Sequence, residues 1–445
     1  MSTRRKLSKI LTIAGNTLRL IFRGGAGIGT LFILILVGIF IFSAAKADEV
    51  LINEIRLRFR YSLYFSTTIL SMATLWFSCV TVRKDIDGKQ MHALVSFPIS
   101  RVQIWIGKWL GIFTFASIAL FCCILTSGLC ALVFTMNWEN KTEITEMLKS
   151  INPVYSICQP EGRSVEIKVD IAYSKLKATG KLPPNETETQ IRKNLFLKFR
   201  REEQLLPAGT GRTWEFNLKK RPQGKSISFR YKFYTQRRKK LAGKWIVETP
   251  GKIERYEVKF NKYPYRIHTA EIPVSMIPKN NFTVSFIPIT KKDIIFPGEE
   301  GLRVYYKTGT ILGNATMMFF LFLLHLGTVV ALGLTFGTVF TFSVATFVSL
   351  IFYFLGMGSS FFENIANNTM NSEEGTLHFF SNLFLCIGVW LTKGISPSPV
   401  IGPFSENLSV SAGLQSWLPE LILYFLVVAI IGMIFLSRKE LDRLH

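Results

Sequence analysis

The chain has 445 residues, of which 49% are hydrophobic and 38 are Phe, a composition that suits a bilayer-embedded protein better than a soluble one. Its formal net charge is +23, and the stretch from Asn137 to Thr308 holds 34 Lys/Arg against 18 Asp/Glu, so +16 of that total lies in one polar region. Beside long apolar runs, such a balance points to anionic headgroups and positively flanked spans, and away from nucleic acid as a partner.

Met1 to Arg23 is basic, with Leu7, Ile10, Leu11, Leu18, Leu20, Ile21 and Phe22 as its apolar positions. This pattern predicts an interfacial helix with its cations in water and its apolar groups at the acyl boundary. A cleaved signal peptide is the rival reading; Gly24-Gly25-Ala26-Gly27 and the absence of a convincing cleavage site argue against it. Span one is expected over Thr30–Ala47, near the minimum that crosses a hydrocarbon core of ~30 Å. Asp48, Glu49 and Glu54, then Arg56, Arg58 and Arg60, read as a short outside connection. Span two is expected over Tyr61–Val82. Its Thr67, Ser71, Thr74, Ser78 and Thr81 are spaced 4, 3, 4 and 3 apart and fall on one helical face. That face is either helix packing, worth roughly 0.6 kcal/mol per contact, or the lining of a pathway.

Arg83 to Gly111 is a polar connection between apolar runs. After the turn signal Asp87-Gly88 comes a short amphipathic piece, Lys89 to Phe97, which Pro98 terminates. A small helix along the membrane face, 83–101, is the expectation, with Lys108 about two turns into the next span and snorkelling to the interface. The residues Asp85-Ile86-Asp87-Gly88-Lys89-Gln90, Pro98-Ile99-Ser100-Arg101 and Gly107-Lys108-Trp109-Leu110-Gly111 carry a resemblance. Their order is similar to the cytoplasmic connection between the second and third spans of type-2 ATP-binding cassette (ABC) exporter permeases. Permeases associated with multicopper enzyme maturation are among them. In that family the connection is a coupling helix that docks on a separate ATPase subunit. The resemblance implies that Asp85, Asp87, Gly88, Lys89, Pro98, Arg101 and Lys108 form the ATPase-coupling surface. Asp85 and Asp87 would meet basic groups of the ATPase, and Arg101 its carboxylates or lipid phosphates.

Span three, Val102–Met136, has 35 residues and exceeds the ~30 Å core if unbroken. From 137 to 308 the pattern changes to an inserted domain. Its first part is helical, notably Thr187–Gln204; from about residue 210 the period becomes two. Trp214–Leu218, Ser226–Tyr234, Lys244–Val247, Arg255–Phe260, Arg266–Ile272, Phe282–Ile287 and Leu302–Tyr306 read as strands between turn signals, which predicts a β-sandwich. Arg237-Arg238-Lys239-Lys240 reads as a hairpin tip in solvent, with an anion or lipid-headgroup contact as the alternative. Ile311–Thr335 and Val339–Gly356 are expected as spans four and five, joined tightly by Phe336-Gly337-Thr338, with Gly333 and Gly337 allowing close helix approach. His325 sits mid-span, a functional candidate by position, although a neutral histidine hydrogen-bonded within the bundle is the plainer expectation. Leu377–Leu391 is read as re-entrant or interfacial, because a seventh crossing would separate the Arg438-Lys439 tail from the side of the N-terminus. Leu418–Leu436 is span six. The similar permeases also end in a basic tail with Glu-Leu, here Arg438-Lys439-Glu440-Leu441.

The fold expected is therefore a polytopic α-helical membrane protein of six transmembrane helices, an N-terminal interfacial helix and an inserted extracytoplasmic β-sandwich. Residues 1–136 would hold the interfacial helix and three spans, and 309–445 the other three. The resemblance covers Met1–Met136 and Ile311–His445; the large insertion departs from the minimal family pattern. No Gly-x-x-x-x-Gly-Lys-Ser/Thr loop occurs, so ATP would be bound by a separate subunit and no cofactor is expected in this chain. The five His are unclustered, no CxxC spacing occurs among the six Cys, and no nucleophile elbow or His-Glu-x-x-His is present. Metal, triad and intramembrane enzyme chemistry are accordingly disfavoured. The expectation is a non-catalytic permease subunit in the cell inner (cytoplasmic) membrane, both termini cytoplasmic, whose partners are an ABC ATPase, a second permease copy or paralogue, the bilayer and an extracytoplasmic protein. The alternative is a membrane-anchored binding or mechanotransmission protein whose sandwich holds an envelope partner without transport. An ATPase in a neighbouring reading frame separates the two.

Overall fold

The computed structural model describes residues 3–46, 51–87, 99–138, 141–142, 144–145, 153–160, 163–180, 183, 188–236, 239–249, 255–277, 280–289, 292–297, 301–359, 361, 388 and 408–438. In chain order these form α1 (Thr3–Arg23), α2 (Ala26–Ala44), α3 (Leu51–Asp87), α4 (Arg101–Met136), β1 (Pro153–Cys158), α5 (Arg163–Ala178), α6 (Glu188–Gln204) and β2 (Leu205–Leu206). Then come β3 (Arg212–Asn217), β4 (Ser226–Lys232), β5 (Leu241–Glu248), β6 (Tyr256–Lys262), β7 (Ile267–Pro273), β8 (Asn281–Pro288), β9 (Ile294–Ile295) and β10 (Leu302–Thr310). The last helices are α7 (Ile311–Val339), α8 (Phe342–Met357) and α9 (Ser411–Arg438). Two compact units result: a helical unit of residues 1–152, 312–367 and 374–445, and a β unit of 153–311 with 368–373.

In the helical unit, α2, α3, α4, α7 and α9 contain stretches long and apolar enough to cross a membrane. The region expected as span five is the shorter α8, of 16 residues. Phe32 and Phe40 on α2, and Leu125, Leu129 and Leu132 on α4, are exposed as a bilayer would require of lipid-facing positions. Several boundaries differ from the sequence expectation: α3 runs on to Asp87, so Arg83–Asp87 belongs to it and not to a separate helix over 83–101, and two further differences involve charge and helix packing. α3 starts at Leu51, so Glu54 and Arg58 lie on the helix and not in a connection. They pair one turn apart at 2.6 Å and are both buried, and Arg58 also donates to the Phe42 carbonyl at 2.8 Å. Of the charges that read as a loop, Glu54 and Arg58 satisfy each other, and Arg58 is also held by the end of α2. The break between α7 and α8 falls at Phe340-Thr341, because α7 continues through Gly337 and the Phe340 N–H still bonds the Phe336 carbonyl at 2.9 Å.

Close helix approach is made by small residues. A Cβ on Gly333 would lie 2.6 Å from the Ser78 Cβ, and one on Gly337 3.2 Å from the Cys79 Cα, so α7 rests on α3 through these two positions. Phe336 and Phe352, with ring centroids 5.2 Å apart, hold the α7–α8 hairpin. Asn314, at the start of α7, donates to the Leu408 carbonyl and accepts from the Val410 N–H, both at 2.9 Å, and so fixes the lead-in to α9. Leu377–Leu391 lies outside the described residues apart from Gly388.

The β unit has two four-stranded antiparallel sheets, ordered β1-β10-β4-β7 and β3-β8-β5-β6, with a small β2-β9 pair. Alternation puts every second side chain into one shared core. At its centre the buried Trp245 ring of β5 lies 4.9 Å from Phe229 and 5.1 Å from Tyr231 of the opposite sheet, and 4.7 Å from Phe286 of its own. The expected strands are all present. β1 is additional; it opens with Pro153 at the sheet edge, where a missing N–H costs no ladder bond. Arg192 of α6 pairs with Asp170 of α5 at 2.6 Å and with Glu188 at 2.8 Å.

Candidate coupling site at one end of the helical unit

The end of α3 and the start of α4 flank the connection that the sequence singles out. Gly88, Lys89 and Pro98, with the amphipathic piece Lys89–Phe97, lie outside the described residues, so the site is built from its flanks. α4 starts sharply because Ser100 and Gln103 form a capping box: the Ser100 hydroxyl accepts from the Gln103 N–H at 3.3 Å, and the Gln103 amide accepts from the Ser100 N–H at 3.0 Å.

Two turns on, Lys108 does not snorkel outward. It is 4% exposed; its ammonium forms an ion pair with Asp85 and donates to the Thr81 carbonyl at 2.8 Å. The physical reason is the crossing of α3 and α4, which places a carboxylate and a backbone acceptor within reach, whereas the interface would supply only water. Asp85 is therefore turned into the protein. Asp87 is more exposed and pairs with Arg83 one turn earlier at 2.8 Å, while Arg83 also reaches the Phe340 carbonyl at 3.4 Å. Arg101 donates to the Ser437 carbonyl, which ties the first residue of α4 to the last turn of α9.

A common device appears in these contacts. Arg58, Arg83 and Arg101 each cap the C-terminal end of another helix, at Phe42 and Ser43 of α2, Phe340 just beyond α7 and Ser437 of α9. Helix C-termini leave orphan carbonyls at the negative end of the macrodipole, where a cation is favoured.

The N-terminal helix also belongs to the site. A Cβ on Gly107 would lie 2.7 Å from the Ile13 Cβ, and one on Gly111 2.7 Å from the Ala14 carbonyl oxygen. These two glycines, four apart on α4, are the seat of α1, whose Ala14, Thr17 and Ile21 are buried. Leu7, Leu11 and Leu20 remain exposed, which leaves an apolar flank beside the basic one.

The hydroxyl face of α3 lies inside the helical unit. Thr67, Ser71, Thr74 and Ser78 are all buried, and each donates back to the carbonyl four residues earlier at 2.7 to 2.9 Å. Each of these hydroxyls has committed its donor to its own helix and keeps its acceptor lone pairs. His325 is buried at 2% exposure, and neither ring nitrogen has a hydrogen-bond partner among the described residues, so the expected bond within the bundle is not found. Of the residues one turn away on α7, Leu321, Phe322 and Val329 are buried and apolar, and Thr328 is buried with its hydroxyl donating to the Leu324 carbonyl at 3.0 Å.

Sequence reasoning missed the Arg58–Glu54 pair, whose four-residue spacing on a helix was the available signal, and the seating of α1. The Gly107/Gly111 spacing was visible, but not its occupant. Among the described residues no group of three or more His, Cys, Asp or Glu is placed to hold a metal ion. No protein-family model, no curated protein and no solved structure matches the chain.

Proposed function

We propose that the chain is the membrane subunit of an ABC exporter and is driven by a separate ATPase that engages residues 88–98. The observation that carries this reading is the cross-tying on both sides of that connection. Asp85–Lys108 joins α3 to α4, and Arg101 joins α4 to the end of α9. A push on the connection would then move three helices together and not bend a loop. The ordered resemblance across Arg83–Gly111 supports the same reading.

On this reading the connection, α1 and the basic tail face the cytoplasm, the β unit stands on the opposite side of the inner membrane, and two permease copies or paralogues pair with two ATPases. Asp85 and Lys108 act as positioning residues, and the surface met by the ATPase lies on 88–98. The reading rests on sequence order and mechanics, so its test is biochemical. Full-length protein is purified from native membranes in mild detergent and its partners are identified. An ATPase bearing a phosphate loop is expected, and Lys89→Glu with His92→Glu is expected to cut its recovery at least ~10-fold. Purification of a stable complex without any ATPase overturns the proposal and favours the membrane-anchored binding protein.

A further inference from the structure

We propose that residues 233–236 and 239–240 between β4 and β5, together with 262–267 around the β6–β7 turn, form a docking surface for an anionic phospholipid bilayer. The two loops are locked into one surface. The Tyr265 N–H donates to the Phe233 carbonyl at 2.9 Å and its hydroxyl donates to the Thr235 carbonyl at 2.8 Å. The Tyr234 and Tyr265 rings lie 5.1 Å apart, and the Lys240 ammonium sits 5.2 Å from the centre of the Tyr263 ring. The Tyr263 carbonyl is 2.7 Å from His268 Nε2. Tyr265 has φ +68°, the left-handed region that a bulky residue enters only when its surroundings hold it there.

What this scaffold presents is chemically consistent. Tyr263, Tyr265 and Ile267 are 48%, 46% and 68% exposed, and Lys239, Lys240, Lys262 and Arg266 are exposed around them. From Phe229 to Val247 the sequence has seven Lys/Arg and no Asp/Glu, and from Val258 to Ala270 three and none. Cations alone would suit any polyanion. Exposed tyrosines and an isoleucine among them suit a surface with phosphates outside and hydrocarbon beneath, where Tyr sits at headgroup depth and Ile reaches the acyl boundary. A dissolved polyanion gives Ile267 nothing to enter.

The test uses full-length protein in nanodiscs. In one arm, zwitterionic phosphatidylcholine discs are mixed with vesicles of phosphatidylcholine alone or with about 30 mol% phosphatidylglycerol, and co-flotation is measured. In the other, the disc itself carries the phosphatidylglycerol and hydrogen exchange of the two loops is followed, so that contact with the chain's own bilayer is scored too. Expected is phosphatidylglycerol-dependent flotation or loop protection, weakened at least ~10-fold by high salt. Lys239→Glu with Lys240→Glu and Arg266→Glu should weaken it at least ~100-fold, at about fivefold per cation removed and more for reversal. Tyr263→Ser with Ile267→Ser keeps every charge and should weaken bilayer binding while leaving binding to soluble polyglutamate unchanged. The proposal is overturned if neither arm responds to phosphatidylglycerol, if the charge-reversed protein responds like the parent, or if polyglutamate binds and vesicles do not.

Discussion

Lys108 and Asp85 form a buried ion pair across the α3–α4 crossing, and the same ammonium donates to the Thr81 carbonyl 2.8 Å away. The ion pair joins two helices whose connection is the most distinctive stretch of the sequence. Its partners cannot be removed singly at low cost, because each leaves the other desolvated.

Lys108→Met is therefore expected to destabilise the helical unit by about 3 kcal/mol. Asp85→Asn in the same background should recover most of that loss. Thermal unfolding of the four proteins of this cycle in one detergent measures the coupling, and a value within about 0.5 kcal/mol of zero would show that the pair is not a brace.

The seat of α1 predicts a positional contrast among glycines. Gly107→Leu or Gly111→Leu should evict α1, at about 1–3 kcal/mol of overpacking. In native membranes the readout is faster tryptic cleavage at Arg19 and Arg23. Gly15→Ala, on α1 but with open space where its Cβ would go, should leave cleavage unchanged.

The α3–α7 contact separates packing from passage. Ser78→Ala removes a hydroxyl that bonds its own helix and should cost no more than ~0.6 kcal/mol. Gly333→Ala drives a methyl against the Ser78 Cβ and should cost about 1–3 kcal/mol, with Ser78→Gly in the same chain restoring much of it. Thermal stability of the three variants is the measurement; a restored double variant identifies shape as the constraint.

Burial beside Trp245 and Phe260 pushes the Tyr231 phenol up to about 12. In the unfolded chain the group titrates near ~10. Between those values the unfolded state holds fewer protons than the native one, so stability falls as pH rises through that window and is unaffected below it. Tyr231→Phe should abolish this part of the alkaline loss in the full-length protein. Tyrosinate absorbance, taken as the difference between parent and variant, reports the titration directly.

Much of the architecture was legible because the period of the chain changes where the structure does. The alternation from Trp214 onward marks strands, and the apolar runs mark helices. Charge misled at Glu54–Arg58, since a local reading prices those groups as if solvated and cannot see the Phe42 carbonyl waiting for Arg58. It misled again at Lys108, where snorkelling follows from position in one helix and the ion pair from the crossing of two. β1 was missed because Pro153–Cys158 is defined by β10, some 150 residues away. Gly107 and Gly111 were visible as a spacing, but only the packed helix says what they make room for.

The cations that cap helix ends do so on backbone oxygens, and this shapes how the protein can vary. Any residue at 340 or 437 supplies the same acceptor, so those positions can drift without loosening the joints, whereas the buried Phe42 also sets its ring 6.0 Å from the Arg58 guanidinium. Nothing at 340 or 437 can compensate for losing Arg83 or Arg101. The Arg83 and Arg101 joints thus store their specificity on one side, and paired substitutions would leave no record of them.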